Sequence, residues 1–244
     1  MLSSQPVRTI VVSVIAVSLL MARTAQAESV VNPSFDAVSI SVGDYAYQSE
    51  TSGYFESFNP TYFTSDPQEQ NFIERNMGVP FGWIFNGATG LTTDGSSLNP
   101  PTIPDGGQAA FIQFGSGSTI SQTIDLLASP YYTLSFLLGG RQATTNRYMG
   151  QLPNGNQTVN VQISDGADVV LNQNVATHTG SPITQIQFSF AILNPGAYTV
   201  TFSGTEAGNS TAFLDDVLIL TPEPSTIALF LMAGGLLCAL RRKV

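Results

Sequence analysis

Cysteine is nearly missing from this chain: of 244 residues only Cys238 carries a thiol, and it sits in an apolar run near the C-terminus. A domain exported from the cell with this sequence has no disulfide, so packing or bound metal must hold it together. Soft-metal centres built on cysteine and histidine are excluded as well, because His178 is the only histidine. Basic residues are almost as scarce. Between residues 28 and 221 there are three, Arg75, Arg141 and Arg147, against sixteen of the seventeen acids, a net charge near −13. Such a surface repels phosphate backbones and attracts divalent cations, which excludes nucleic acid as a partner. A serine–histidine–acid triad would have to use His178, which lies in the polar loop Thr177-His178-Thr179-Gly180 and reads as surface. No spacing among the acids singles out a glycosidase pair, and the turn glycines lack the strand–loop–helix context of a phosphate cradle. The expectation is a protein that is not an enzyme.

What is present begins at the two ends. Arg8 precedes an apolar stretch from Ile10 to Ala22, and Ala25-Gln26-Ala27 supplies an A-x-A cleavage site before Glu28. At the other end Pro222-Glu223-Pro224 is followed by an apolar run from Ile227 to Leu240 and by Arg241-Arg242-Lys243. Fourteen helical residues rise about 21 Å, short of a hydrocarbon core of roughly 30 Å. The run lacks a polar face, however, and the terminal cations can snorkel to the headgroups and lengthen the span. They would stay cytoplasmic, leaving everything before Pro222 outside. The reading is a signal peptide over 1–27 with a signal helix, a domain over 28–221, and a tail over 222–244 with a transmembrane helix at about 226–240.

This tail resembles the PEP-CTERM signal of Gram-negative bacteria: tripeptide, span and basic terminus occur in order from Pro222 to Val244. The resemblance implies that an exosortase, a transpeptidase-like sorting enzyme, reads Pro222, Glu223 and Pro224 and removes the anchor that ends in Arg241, Arg242 and Lys243. It also implies transient anchoring in the inner membrane, then delivery to the cell surface or extracellular matrix.

Between the two signals the pattern is strand after strand. Tyr132, Leu134, Phe136 and Leu138 alternate with polar residues, as do Val159, Val161 and Ile163, then Ile186, Phe188 and Phe190, then Tyr198, Val200 and Phe202. Period two with one wet face predicts half-buried strands. Asn154-Gly155, Asp165-Gly166 and Asn194-Pro195-Gly196 mark turns. Further strands are expected over 30–35, 109–114, 118–126, 169–172 and 213–220. No strong helical period competes and no repeat is present, so the fold expected is all-β, a two-layer antiparallel β-sandwich of jelly-roll type. Residues 43–77 break the regularity with Tyr45, Tyr47, Tyr54 and five further aromatics among few aliphatics, and read as a long insertion. Asp66-Pro67 within it looks like a helix N-cap followed by proline at the first helical position, which predicts a short helix over 67–77.

Asn32-Pro33-Ser34-Phe35-Asp36, Gly82-Trp83, Pro104-Asp105-Gly106, Ser121-Gln122-Thr123-Ile124 and Ala212-Phe213-Leu214-Asp215-Asp216-Val217 together resemble the galactose-binding-like jelly rolls, which include carbohydrate-binding modules. The resemblance implies that the first and last strands lie together and share a structural calcium. Carried across, its ligands are Asp36, where the family frequently has Glu, and Asp215 with Asp216. The residues give a separate argument. With Phe213, Val217 and Ile219 on one face of the last strand and Leu214, Leu218 and Leu220 on the other, Asp215 and Asp216 point one to each, so at least one carboxylate is buried. An unpaired buried charge is costly. Two readings are open: Ca²⁺, a hard cation that takes six to eight oxygens, or backbone N–H groups at a strand end.

Sugar rings present C–H faces that stack on aromatic rings, and their hydroxyls pair with polar side chains. Trp83 is the natural platform, with Tyr45, Tyr47 and Tyr54 as helpers, although a single Trp after Gly in a sandwich also serves as core filler. Arg141 ends an otherwise apolar strand and either binds ligand or pairs with an acid. The function expected is a non-catalytic surface or matrix module in contact with exopolysaccharide. The alternatives are a structural or adhesive surface protein without a sugar ligand and, third, a secreted hydrolase.

Overall fold

A computed structural model of the chain describes residues 30–36, 40–48, 55–58, 82–115, 117–143 and 154–221. The expected signal helix, the helix over 67–77, Tyr54 and the tail all lie outside the described residues. Glu28–Ile219 form one compact unit; the other, Met1–Ala27 with Leu220–Val244, is almost wholly outside the described residues. No helix among the described residues is long and apolar enough to cross a membrane.

The described chain is all β. Strands β1 (Tyr45–Gln48), β2 (Phe55–Phe58), β3 (Ile84–Asn86), β4 (Thr89–Thr93), β5 (Gln108–Gln113) and β6 (Thr119–Leu126) are followed by β7 (Ser129–Gly140), β8 (Thr158–Ser164), β9 (Val169–Ala176), β10 (Thr184–Ile192), β11 (Gly196–Gly204) and β12 (Thr211–Leu220). They form a seven-stranded sheet in the order β10-β7-β12-β5-β4-β1-β2 and a five-stranded sheet in the order β3-β6-β11-β8-β9. These are the two antiparallel layers that the period-two pattern predicts.

Alternation decides which side chains meet. In β8, Val159, Val161 and Ile163 are wholly buried while the residues between them are half-exposed. Register then aligns Val161, Phe202, Ile120 and Phe85 across four strands of the smaller sheet. On the larger sheet the matching inward row is Ala46, Leu91, Ala110 and Leu214. Both rows belong to one core cluster, in which each fully buried large side chain contributes about 1.5–3 kcal/mol. Phe202 stands at its centre, with ring centroids 5.2 Å from Phe136 and 6.3 Å from Trp83.

Three sequence expectations are corrected. Residues 30–35 are turns, not a strand, with Asn32 and Phe35 left-handed at φ 52° and 58°. Side chains take the place of a ladder there: Gln122 accepts from Val31 N at 2.8 Å and donates to Val31 O at 2.9 Å, and Gln108 Nε2 donates to Phe35 O at 2.6 Å. The segment still reaches the last strand, because Val217 N donates to Pro33 O at 3.0 Å. Second, the aromatic stretch is not simply an insertion: β1 and β2 pair with each other, and β1 pairs with β4, extending the larger sheet.

Third, Asp215 and Asp216 do not preserve the alternation expected of β12. Ala212 and Leu214 lie in the main core, and so do Val217 and Ile219. The inward parity switches from even to odd at the aspartates, where Asp216 takes a left-handed φ of 46°. One extra residue has been inserted, as in a β-bulge. Phe213 faces a second cluster and does not share a face with Val217.

Candidate functional site on the outer face of the larger sheet

The second cluster is built on the face of the seven-stranded sheet that points away from the smaller one. Register puts Tyr47, Gly90, Phe111 and Phe213 in one row. Gly90 carries no side chain between Tyr47 and Phe111, so their rings meet edge to face with centroids 5.0 Å apart. A Cβ at Gly90 would also collide with Ala46 O. Tyr45 adds an edge-on contact to Tyr47 at 5.7 Å and to Phe111 at 6.4 Å. Phe111 and Phe213 are fully buried, whereas Tyr45 and Tyr47 are half-exposed.

A polar chain runs from these rings to the end of β7. Tyr47 donates its hydroxyl to Gln113 Oε1. Gln113 Nε2 donates to Thr211 Oγ1 at 2.7 Å and to Asn209 Oδ1 at 3.4 Å. Asn209 Oδ1 also accepts from Arg141 Nη1 at 3.2 Å, and Arg141 Nη2 donates to Ser97 O at 3.0 Å. Arg141 is 5 % exposed and its Nε has no partner. Burial lowers its pKa from the usual arginine value, and the neighbouring Tyr47 and Tyr45 hydroxyls act the other way. Among the described residues it meets no carboxylate, so the acid pairing considered for it is absent there. Nothing in the sequence marks Gln113 or Asn209 for this role, since neutral amides at strand ends look like any solvated turn.

The tertiary structure brings Tyr45, Tyr47 and Arg141 to one face and sends Trp83 elsewhere. Trp83 is 5 % exposed, tilted against Phe35 at 5.2 Å in the core between the sheets, and its Nε1 donates to Asn32 O at 3.0 Å. It offers no free face to a ligand and acts as core. Tyr54, the other aromatic considered, lies outside the described residues.

The acids gather at a different place. Asp215 is fully buried; its Oδ1 accepts from Asp216 N at 2.8 Å and its Oδ2 has no partner. Its pKa is pushed up to about 8, by burial first and then by the nearby charges of Asp105, Asp36 and Asp216, with the Asp216 N–H opposing. Asp36 is exposed and packs so closely on Gly106 that a Cβ there would collide with its Oδ2. Partial desolvation against its neighbours raises its pKa, a hydrogen bond from the Ser34 side chain opposes it, and Asp105 adds to the rise. A cavity of about 450 Å³ opens beside it, lined in part by Ile40, Thr93, Asp94 and Gly107. Among the described residues no group of three or more His, Cys, Asp or Glu side chains is arranged to hold a metal. A cation at Asp215 would therefore depend on backbone carbonyls for much of its shell, as Ca²⁺ can. The orphaned Oδ2 of a buried carboxylate fits such an ion.

No curated protein matches the chain in sequence. Its fold is similar to that of two structures from Fischerella sp. TAU: the Stig cyclase Fisc, solved with a pyrrolidinylidene indole (TM-score 0.53, 14 % identity, 82 % of this chain and 99 % of that one), and a second cyclase (TM-score 0.53, 16 % identity, 81 % and 97 %). The jelly-roll carbohydrate-binding module TmCBM61, solved with β-1,4-galactotriose, is a more distant structural neighbour (TM-score 0.42, 16 % identity, 57 % and 88 %). At such identities the likeness is one of fold. Residues 220–243 match the PEP-CTERM protein-sorting motif, so the chain carries the signal of an exported protein that is held transiently at a membrane, processed by an exosortase and released.

Proposed function

We propose that the exported domain, residues 28–221 after loss of a signal peptide over 1–27, is a non-catalytic module that binds polysaccharide along the outer face of its larger sheet. The observation that supports this is the pair of half-exposed rings there, Tyr45 and Tyr47, with Tyr47 held from beneath by the buried chain of Gln113, Asn209 and Arg141. Tyrosine rings stack on the C–H faces of sugars. The exopolysaccharide of a Gram-negative surface or matrix is the ligand this reading assigns. Retention of the full-length protein in gels containing that polysaccharide tests it. Tyr45→Ala should lower retention several-fold at temperatures well below melting. Tyr47→Phe, which keeps the stacking ring, should be retained like wild type, and equal retention of wild type and Tyr45→Ala overturns the reading.

A scaffold or adhesive role without sugar has its own support, the nearly complete burial of Arg141. Retention by no glycan would favour it. We further propose that Ca²⁺ is held at Asp215 with Asp36 as a structural ion, joining the turn at Pro33–Asp36 to β12. The orphaned buried carboxylate and the Val217 N to Pro33 O bond support that placement.

A further inference from the structure

Isolated apolar side chains on a surface need no explanation, but here several stand at one end of the sandwich. Leu193 is 83 % exposed, Tyr131 63 %, Leu127 60 % and Val169 54 %. Register places them together. Gly196 pairs with Leu126, Ile192 with Ser129, Thr199 with Ser164, and Ser164 with Val169. The turns that follow β6, β8 and β10 therefore share this end. The last strand finishes there too: Arg141 N at the end of β7 donates to Thr211 O at the start of β12, so β12 runs antiparallel beside β7 and its Leu220 end lies toward Ser129.

The sorting motif begins where this strand stops. Only six residues, 221–226, separate β12 from the apolar run that opens at Ile227. Fully extended they reach about 20 Å, so with the run inserted this end of the domain is held next to the lipid. We infer that the rim of Leu127, Tyr131, Val169 and Leu193 lies on the bilayer surface while the tail is attached, an inference that rests on the anchoring the sorting motif implies. Leucines at turn tips enter the headgroup layer shallowly, and a tyrosine suits that interface because one end of it is apolar and the other wet. Asp125 and Asp168 share this end and disfavour strongly anionic lipid. Asp165 is exposed at this end too and adds to that charge, its Oδ1 accepting from Ala167 N at 2.9 Å and Asp168 N at 2.7 Å. Contact of this kind would hold Pro222-Glu223-Pro224 at the depth where a membrane-bound sorting enzyme works, and would be given up on release.

Probe quenching in vesicles tests the rim. In the full chain with Cys238→Ala, an environment-sensitive fluorophore is placed at Leu193→Cys, at Leu127→Cys, or, as the distal reference, at Phe114→Cys beyond the opposite end of β5. The vesicles are phosphatidylcholine and phosphatidylethanolamine with a headgroup-nitroxide lipid. The rim probes should be blue-shifted and quenched several-fold more than the Phe114→Cys probe. Co-floating protein with equal quenching at all three sites overturns the rim and leaves the anchor standing. Failure to float removes both. A blue shift that is unquenched by the nitroxide and lost on dilution assigns the rim to a second copy of the chain, and overturns the lipid contact.

Discussion

Arg141 donates through Nη1 to Asn209 Oδ1 at 3.2 Å, so a guanidinium buried in a strongly acidic domain is held by an amide and the Ser97 carbonyl. That geometry is intolerant of change. Arg141→Lys loses the fork and cannot span both acceptors, so one of the two buried contacts, to Asn209 Oδ1 or to Ser97 O, is lost. A loss of about 2–3 kcal/mol is expected, which in a domain of this size moves melting by roughly 5–10 °C. Thermal melting of the purified protein checks it, and a shift below about 1 °C would place the guanidinium outside the folded domain's stability.

Substitutions at Trp83 should separate packing from binding. Trp83→Ala empties a core site between Phe35 and Phe202 and should cost about 3–5 kcal/mol. The milder Trp83→Phe should leave polysaccharide retention intact, because the indole has no free face. Loss of retention by Trp83→Phe at unchanged stability would return the tryptophan to the binding surface.

The calcium reading predicts that chelation lowers the melting temperature. A ligand bound only to the folded state stabilises it by about 2.7 kcal/mol at a hundredfold excess over Kd, which corresponds here to roughly 5–10 °C. Asp215→Asn should abolish the difference. Identical melting in chelator and in millimolar calcium would refute the ion.

Asp215 also sets a pH dependence in chelator. Its folded pKa, about 8, lies above the ordinary value of 3.8. Between those limits the folded state keeps a proton that the unfolded chain releases, so stability falls as pH rises. The contribution is neutral below the lower limit, and the penalty is complete above the upper one. Urea unfolding at pH 5 and pH 8 should show wild type losing stability across this window and Asp215→Asn losing much less. Calcium should reverse the trend, since it favours the carboxylate. Parallel profiles for the two proteins would mean that Asp215 ionises freely.

Glu223→Ala should block removal of the tail and leave the full-length form in the membrane fraction, because the sorting enzyme reads the residues just outside the bilayer. Mass spectrometry of surface-released wild-type protein is the check: an intact C-terminus ending at Val244 would contradict the motif's role.

Strands such as β8 and β11 were legible in the chain alone because alternation is a local property: Val159, Val161 and Ile163 declare their face whatever lies opposite. The sorting tail was legible for the same reason, its tripeptide, apolar run and cations being contiguous. β1 and β4 were not, since Tyr-Ala-Tyr-Gln and Thr-Gly-Leu-Thr-Thr hold too few aliphatics to show a period, and they become strands by pairing with each other and with β5. Side-chain chemistry marked Trp83, Tyr45, Tyr47 and Arg141 as interesting but could not say which faces they share. That was decided by the order β7-β12-β5-β4-β1, which carries Arg141 and the tyrosines to one outer face, and by the turns at Asn32 and Phe35, which bury Trp83. The aspartates show the limit most clearly. Sequence requires that a carboxylate in β12 be buried, but one left-handed residue, Asp216, changes the parity of the strand, and only the folded backbone reveals it.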